Sequence, residues 1–255
     1  MIDFQNNRKS HLLAFLSLAR ETYGFYNGKW SFLISHPLKE FRNDIDPVAH
    51  QFQLLGLLNI PFNEDHRLQL WPSAKDKDYA RRLLESEWLG NSRDIVGVNI
   101  SASVKWPTKN WPVEYIARLC DLLAPRNIRV IVTGMGKDKN MTNDLMMLTK
   151  TKPAIFVGKT DILQLAALIE RCRVFITPDS APLHVATAVG TPVIAFFGPT
   201  DPARHGPPSK KNILLNRKLP CSPCYSSYCK IKTHACMREI TPEEVAKEVE
   251  ILLGE

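Results

Sequence analysis

The spacing of hydrophobic positions changes character near residue 94. Before it, "SHLLAFLSLARETYGF" places Leu12, Leu16 and Ala19 on one helical face with Gly24 as the expected stop, and "VAHQFQLLGLLNI" does the same with Val48, Phe52, Leu55 and Leu58. The pattern predicts two amphipathic helices, with "KWSFLISHPL" between them as a short strand or loop. No complete strand–helix–strand unit is expected before residue 60.

From Asp94 onward short β-branched runs alternate with helical segments. They read "DIVGVNISAS", "WPVEYIARLCDLLA", "IRVIVTG", "NDLMMLTK", "AIFVG", "DILQLAALIERC", "RVFITPDS", "LHVATAVG" and "PVIAFFG". Such alternation predicts right-handed crossovers around a parallel sheet, a Rossmann-like domain. Ahead of it, "WPSAKDKDYARRLLESEWLGNSR" is polar and mostly helical, with few apparent packing constraints. A boundary is expected within residues 73–92, giving domains 1–85 and 86–255.

Composition narrows the class. A chain of 255 residues that is 44% hydrophobic can bury one large core or two modest ones, which excludes a disordered protein. No apolar run reaches the roughly 18 residues of a spanning helix, and "MIDFQNNRKSHLL" has no apolar signal-peptide core, so a cytoplasmic protein is expected. The net charge of +7 favours an anionic partner: a nucleotide, an acidic lipid surface or a nucleic acid. The Lys and Arg residues are scattered without interleaved aromatics, which argues against nucleic acid.

Ligands of an open parallel sheet bind beyond the carboxyl ends of its strands, where loops lead into helix N-termini. Three loops fall on that edge: Ser101 to Trp111, Gly134 to Lys139 and Pro178 to His184. In the third, Asp179 and Ser180 close one strand and open a helix. Their side chains suit an N-cap, and the free N–H groups behind them suit an anion; a plain cap accounts for both residues equally well. His184 lies one turn beyond Ser180 and is expected to face the same cleft, although a lone histidine there also reads as part of the core. Lys109, just ahead of Trp111 and Pro112, is either a compact phosphate-binding charge or solvated surface. Ser101 and Ser103 stand where "GVNI" ends and suit either the same phosphate or a turn cap.

These segments together resemble the heptosyltransferase family, glycosyltransferase family 9. The likeness rests on "KNWP", on "FVGKTDILQLAALIERCRVFITPDSAPLHVATAVGTPVIAFFGPTDPARHGPP" and on "CSPCYSSYCKIKTHACMREITPEEV", and runs from about Asp94 to the end. It implies an α/β fold of the GT-B type, with a complete C-terminal Rossmann-like domain and an incomplete N-terminal one. It also implies an enzyme that transfers heptose or a related sugar from ADP-heptose to a lipopolysaccharide core, a lipid A-core or related glycolipid acceptor. That chemistry would take place at the inner face of the cytoplasmic membrane, by peripheral contact and without metal or other cofactor. Carried over by position, Lys109 would meet the diphosphate with Ser103 beside it. Asp179, Ser180 and the backbone at Ala181 would hold sugar and phosphates, His184 would complete the pocket, and Thr160 would lie near the base. Where this chain has Ala181 the family commonly has glycine, so the methyl group is expected to cost affinity.

"MIDFQNNRKSHLLAFLSLARETYGF" resembles the middle of the family's N-terminal domain. On that resemblance, the family's preceding strand and loop, with the acidic residue assigned as general base and much of the acceptor site, are expected to be missing from the chain as given, through a wrong start, a gene fragment or a shortened protein. No catalytic base is therefore named, since the resemblance places Asp3 on a different strand. Donor binding without normal turnover is expected of the chain as given, and a nucleotide-sugar-binding remnant is the alternative function.

Six cysteines divide into two groups. Cys120 and Cys172 lie in apolar helical surroundings and are expected as buried small hydrophobes. Cys221, Cys224, Cys229 and Cys236 are spaced C-x2-C-x4-C-x6-C, compact enough for one tetrahedral zinc. A loop of reduced or disulfide-paired thiols is the alternative, and a cytosolic setting disfavours the disulfides.

Overall fold

A computed structural model describes residues 1–28, 30–63 and 67–254, which form two compact units, Met1–Arg67 and Leu68–Glu255. The first contains β1 (Ile2–Asp3), α1 (Arg8–Leu16), β2 (Tyr23–Phe25), β3 (His36–Leu38) and α2 (Pro47–Leu55), with the strands parallel in the order β1-β2-β3. Contrary to expectation, β1–α1–β2 is a strand–helix–strand unit. Strands of two and three residues are too short to carry a period-two signal.

Asn7 opens α1 by accepting from the Lys9 and Ser10 N–H groups while the Ser10 hydroxyl accepts from Asn7, a reciprocal cap. The helix ends before Ala19, because Leu18 takes a left-handed φ of 52°, and Gly24 lies inside β2 instead of stopping a helix. Asp46 caps α2, with Pro47 in the first turn where its missing N–H costs nothing.

The second unit comprises α3 (Ala74–Glu85), β4 (Ile95–Asn99), α4 (Val113–Leu123), β5 (Arg129–Thr133), α5 (Lys139–Leu148), β6 (Ala154–Ile155) and α6 (Ile162–Ile169). It continues through β7 (Val174–Pro178), α7 (Ala181–Ala188), β8 (Val193–Phe197), α8 (Pro202–His205), β9 (Ile213–Asn216), α9 (Ala235–Arg238) and α10 (Pro242–Leu253). The six strands are parallel in the order β6-β5-β4-β7-β8-β9. The chain winds outward from β4 to β6, then restarts at β7 on the other side, so the order reverses between β4 and β7. That is the doubly wound Rossmann arrangement, and its ligand crevice lies at the reversal.

Alternation along each strand feeds two cores. Val96, Val98, Val174, Ile176, Ile194 and Phe196 face α4, α5 and α10. Ile95 and Ile131 pack with α3 and α6, and Phe175, Val193, Ala195 and Phe197 with α6 and α7. Burying each such side chain stabilises the fold by roughly 1.5–3 kcal/mol. Gly97 is small because a Cβ there would stand 2.5 Å from the Phe175 ring on the neighbouring strand.

The division between units falls ahead of the stretch expected to hold it. Ala80 and Leu84 on α3 are fully buried against α6, and Lys77 pairs with Glu170 at 3.1 Å, so that polar helix is constrained by packing and belongs with the sheet that follows. Cys120 and Cys172 are buried as expected, and desolvation pushes both thiols up to about 12. Among the described residues no helix is long and apolar enough to cross a membrane.

Candidate functional site

A cleft of about 570 Å³ opens at the carboxyl ends of β4, β5, β6 and β7. The three strand-end loops meet there: Ser101, Ser103 and Lys109 from the first, Gly134 to Asp138 from the second, and Asp179, Ser180 and Ala181 from the third, with Thr160 at the start of α6. Its size falls in the range of small-molecule sites.

An ion pair lies in the cleft wall. Lys109 ends a 3-10 turn, Pro107–Lys109, that precedes α4, and its Nζ donates to Asp179 Oδ2 at 2.7 Å. The Thr200 hydroxyl donates to the same oxygen at 2.7 Å. Asp179 is only 6% exposed, so desolvation strengthens both contacts. The ammonium also stands 5.2 Å from the centre of the Trp106 ring, a cation–π approach. Lys109 is thus a fixed charge at the cleft wall, neither solvated surface nor a free flexible cation.

The start of α7 is built differently from a side-chain cap. Ser180 occupies the cap position, but its hydroxyl makes no cap bond. It donates instead to the Pro178 carbonyl at 3.1 Å and meets Thr177 Oγ1 at 3.1 Å and Asn99 Nδ2 at 3.3 Å. Pro182 has no N–H, and Leu183 donates to the Ser180 carbonyl; among the described residues the Ala181 N–H has no hydrogen-bond partner, and Ala181 lines the cleft. An uncapped, positively polarised helix end beside a lysine suits a phosphate group.

Ser101 donates to the Ala102 carbonyl at 3.1 Å, and Ser103 Oγ accepts from the Lys105 N–H at 3.3 Å. Both line the cleft while bracing their own turn. His184 does not line it. The ring is half-buried along α7, where desolvation lowers its pKa, the Asp179 charge opposes that shift and Lys109 adds to it.

Polar residues in and beside the wall hold the loops in place. Asn99 ends β4 and bridges to β7, donating to the Ser101 carbonyl at 2.6 Å and to Thr177 Oγ1 at 3.3 Å. Asn110 Oδ1 accepts from the Ala102 N–H at 2.7 Å, and Asp138 Oδ2 from the Met135 N–H at 2.7 Å. A lone polar residue ending an apolar strand is the available signal for Asn99; Asn110 and Thr200 lie inside the stretches that carry the family resemblance, which assigned neither a role. Gly158 takes a φ of +72°, and a Cβ there would stand 2.8 Å from the Gly136 Cα, so glycine lets the loops after β5 and β6 close together at the floor.

The four clustered cysteines lie outside this cleft, around a separate cavity of about 320 Å³. Burial pushes the Cys236 thiol up to about 11, with Cys224, Cys221 and Cys229 adding to the shift. Among the described residues no three His, Cys, Asp or Glu side chains are grouped to hold a metal ion.

Residues 1–235 match the model for glycosyltransferase family 9 (heptosyltransferase). Lipooligosaccharide heptosyltransferase 2 of Campylobacter jejuni subsp. jejuni serotype O:6 is 32% identical over 169 residues, covering 64% of this chain and 53% of that protein. Lipopolysaccharide heptosyltransferase 2 of Salmonella typhimurium is 27% identical over 198 residues, covering 73% of this chain and 55% of that protein. The chain spans about half the length of these relatives. A solved family 9 glycosyl transferase from Veillonella parvula superposes with a TM-score of 0.85 at 24% identity, over 99% of this chain and 72% of that one. E. coli ADP-heptose lps heptosyltransferase II gives 0.77 at 23%, over 99% and 75%. The fold is shared with both.

Proposed function

The chain belongs to glycosyltransferase family 9, and on that premise we propose that it moves heptose, or a closely related sugar, from ADP-heptose to a lipopolysaccharide core. The observation that carries this reading is the Lys109–Asp179 pair beside the open start of α7, at the crevice where the sheet order reverses. Departure of the nucleoside diphosphate leaves negative charge on its phosphate oxygens. Lys109 and the Ala181 N–H, both fixed before the ligand arrives, are the groups that stabilise it. Ser101 and Ser103 border the same phosphates, Ser180 and Asp179 border the sugar, and Thr160 stands toward the base. His184 lies on α7 outside the cleft lining.

The printed names of the relatives include lipopolysaccharide and lipooligosaccharide heptosyltransferases, which supports heptose and a core glycolipid as the substrate classes. A net charge of +7 suits an acceptor rich in phosphates and carboxylates, reached by peripheral contact at the cytoplasmic membrane face. The test is release of ADP from ADP-heptose with a heptose-free core glycolipid. Acceptor-dependent release that falls in Lys109→Ala supports the transferase. Donor binding without release assigns the chain to nucleotide-sugar binding, and no binding removes the donor site.

A further inference from the structure

Cys221 to Cys236, between β9 and the body of α9, bond to both turns that carry the partners of Asp179. The Thr108 hydroxyl, next to Lys109, donates to the Ser226 carbonyl at 2.7 Å. His234 Nε2 lies 2.7 Å from the Thr108 carbonyl oxygen; a carbonyl only accepts, so this nitrogen carries the proton. On the other turn, the Tyr225 N–H donates to the Pro199 carbonyl at 2.8 Å and the Ser222 hydroxyl to the Gly198 carbonyl at 2.5 Å. A Cβ on Gly198 would stand 2.6 Å from Met237 Sδ and 2.9 Å from Cys236 Sγ, so that turn is pressed against the same segment. Lys109 and Thr200 then converge on one oxygen, Asp179 Oδ2.

We infer that the segment Cys221–Cys236 is a brace that sets the Lys109–Asp179 contact from behind, and that His234 is its positioning residue. This rests on the donor-site reading for its consequence, since a lysine displaced from the cleft wall holds a diphosphate less well. His234 does not line the cleft and acts only through the Thr108 carbonyl. Its φ of 51° lies in the left-handed region that histidine and asparagine tolerate better than most residues. His234→Ala and His234→Gln bear similar backbone strain, but glutamine reaches far enough to present an N–H where Nε2 stood. Comparing the two isolates the hydrogen bond.

The experiment measures acylation of Lys109 by an N-hydroxysuccinimide acetate, residue by residue by peptide mass spectrometry, in the full chain and both variants. The exposed Lys105 and Lys211 serve as references, and ADP affinity is measured alongside. A lysine held in an ion pair reacts slowly. His234→Ala should raise the Lys109 rate several-fold with the references unchanged, His234→Gln should restore it, and ADP binding should weaken only in the alanine variant. An unchanged Lys109 rate, failure of glutamine to restore it, or an equal rise at all lysines would overturn the brace. If the acylation pattern holds but the wild-type chain does not bind ADP, the donor-site reading fails and the brace stands.

Discussion

Lys109 Nζ lies 2.7 Å from Asp179 Oδ2, although 70 residues separate the two in sequence. The contact joins the loop after β4 to the loop after β7, the two strands that flank the reversal in sheet order. It ties the lysine to the start of α7 before any ligand is present, so under the proposed function little reorganisation would be needed when charge develops on a leaving group.

Removing the carboxylate should separate position from charge. Asp179→Asn leaves the lysine charged but without its ionic partner, and Thr200→Val removes the second contact to the same oxygen. Both variants should weaken ADP binding, asparagine more than valine, because asparagine removes the negative charge that holds the ammonium whereas valine removes only one of the two charge-assisted contacts to Asp179 Oδ2. Isothermal titration checks the order; equal or tighter binding in Asp179→Asn would show that the carboxylate only competes with phosphate for the lysine.

At position 181 the structure changes the reason for an effect. Ala181 is the first residue of α7 with ordinary helical backbone, so glycine offers no relief of strain and its consequence rests on the methyl group alone. Ala181→Gly should lower stability by about 0.5–1 kcal/mol while tightening ADP binding a few-fold. Unchanged or weaker binding would mean that the methyl fits beside the phosphates.

The floor of the cleft depends on Gly158. A methyl there meets the Gly136 backbone at 2.8 Å while φ stays at +72°, a strained conformation worth roughly 1–3 kcal/mol. Gly158→Ala should lower the urea midpoint and weaken ADP binding, because the loop containing Met135 and Asp138 must move. Wild-type behaviour in both would show that the floor is adaptable.

Stability should fall below neutral pH through two half-buried histidines, His184 and His205. Burial lowers the His184 pKa from 6.5 despite the opposing Asp179 charge, and burial lowers that of His205 as well. As pH falls below about 6.5 the unfolded chain takes up these protons first, so this contribution is complete above that value and is lost on acidification toward the folded-state pKa. Urea midpoints should be lower at pH 5.5 than at 7.5, and His184→Gln should flatten the difference. A parallel decline in the variant would assign the effect to other groups.

Much of the second unit was legible because β4, β7 and β8 are each five residues long and fully buried, so their β-branched runs stand out between helical periods. That was enough to set three loops on one edge and to pick out Lys109, Asp179 and Ser180. The first unit was harder, since β1 and β2 are too short to pattern and a left-handed Leu18 ends α1 without a glycine. The amphipathic α10 went unremarked although Thr241 and Pro242 open it in the usual way. What periodicity cannot supply is pairing: that Asp179 would hold Lys109 instead of capping α7, and that Thr200 would share it, follow from which strand ends meet.

The proposed donor site is tested by calorimetric titration of the chain with ADP, with Lys109→Ala as the partner measurement. Such a site binds one ADP per chain and loses about 1.5–3 kcal/mol in the variant, at least roughly tenfold in Kd. No binding of ADP by the wild-type chain, or equal binding by Lys109→Ala, would contradict it.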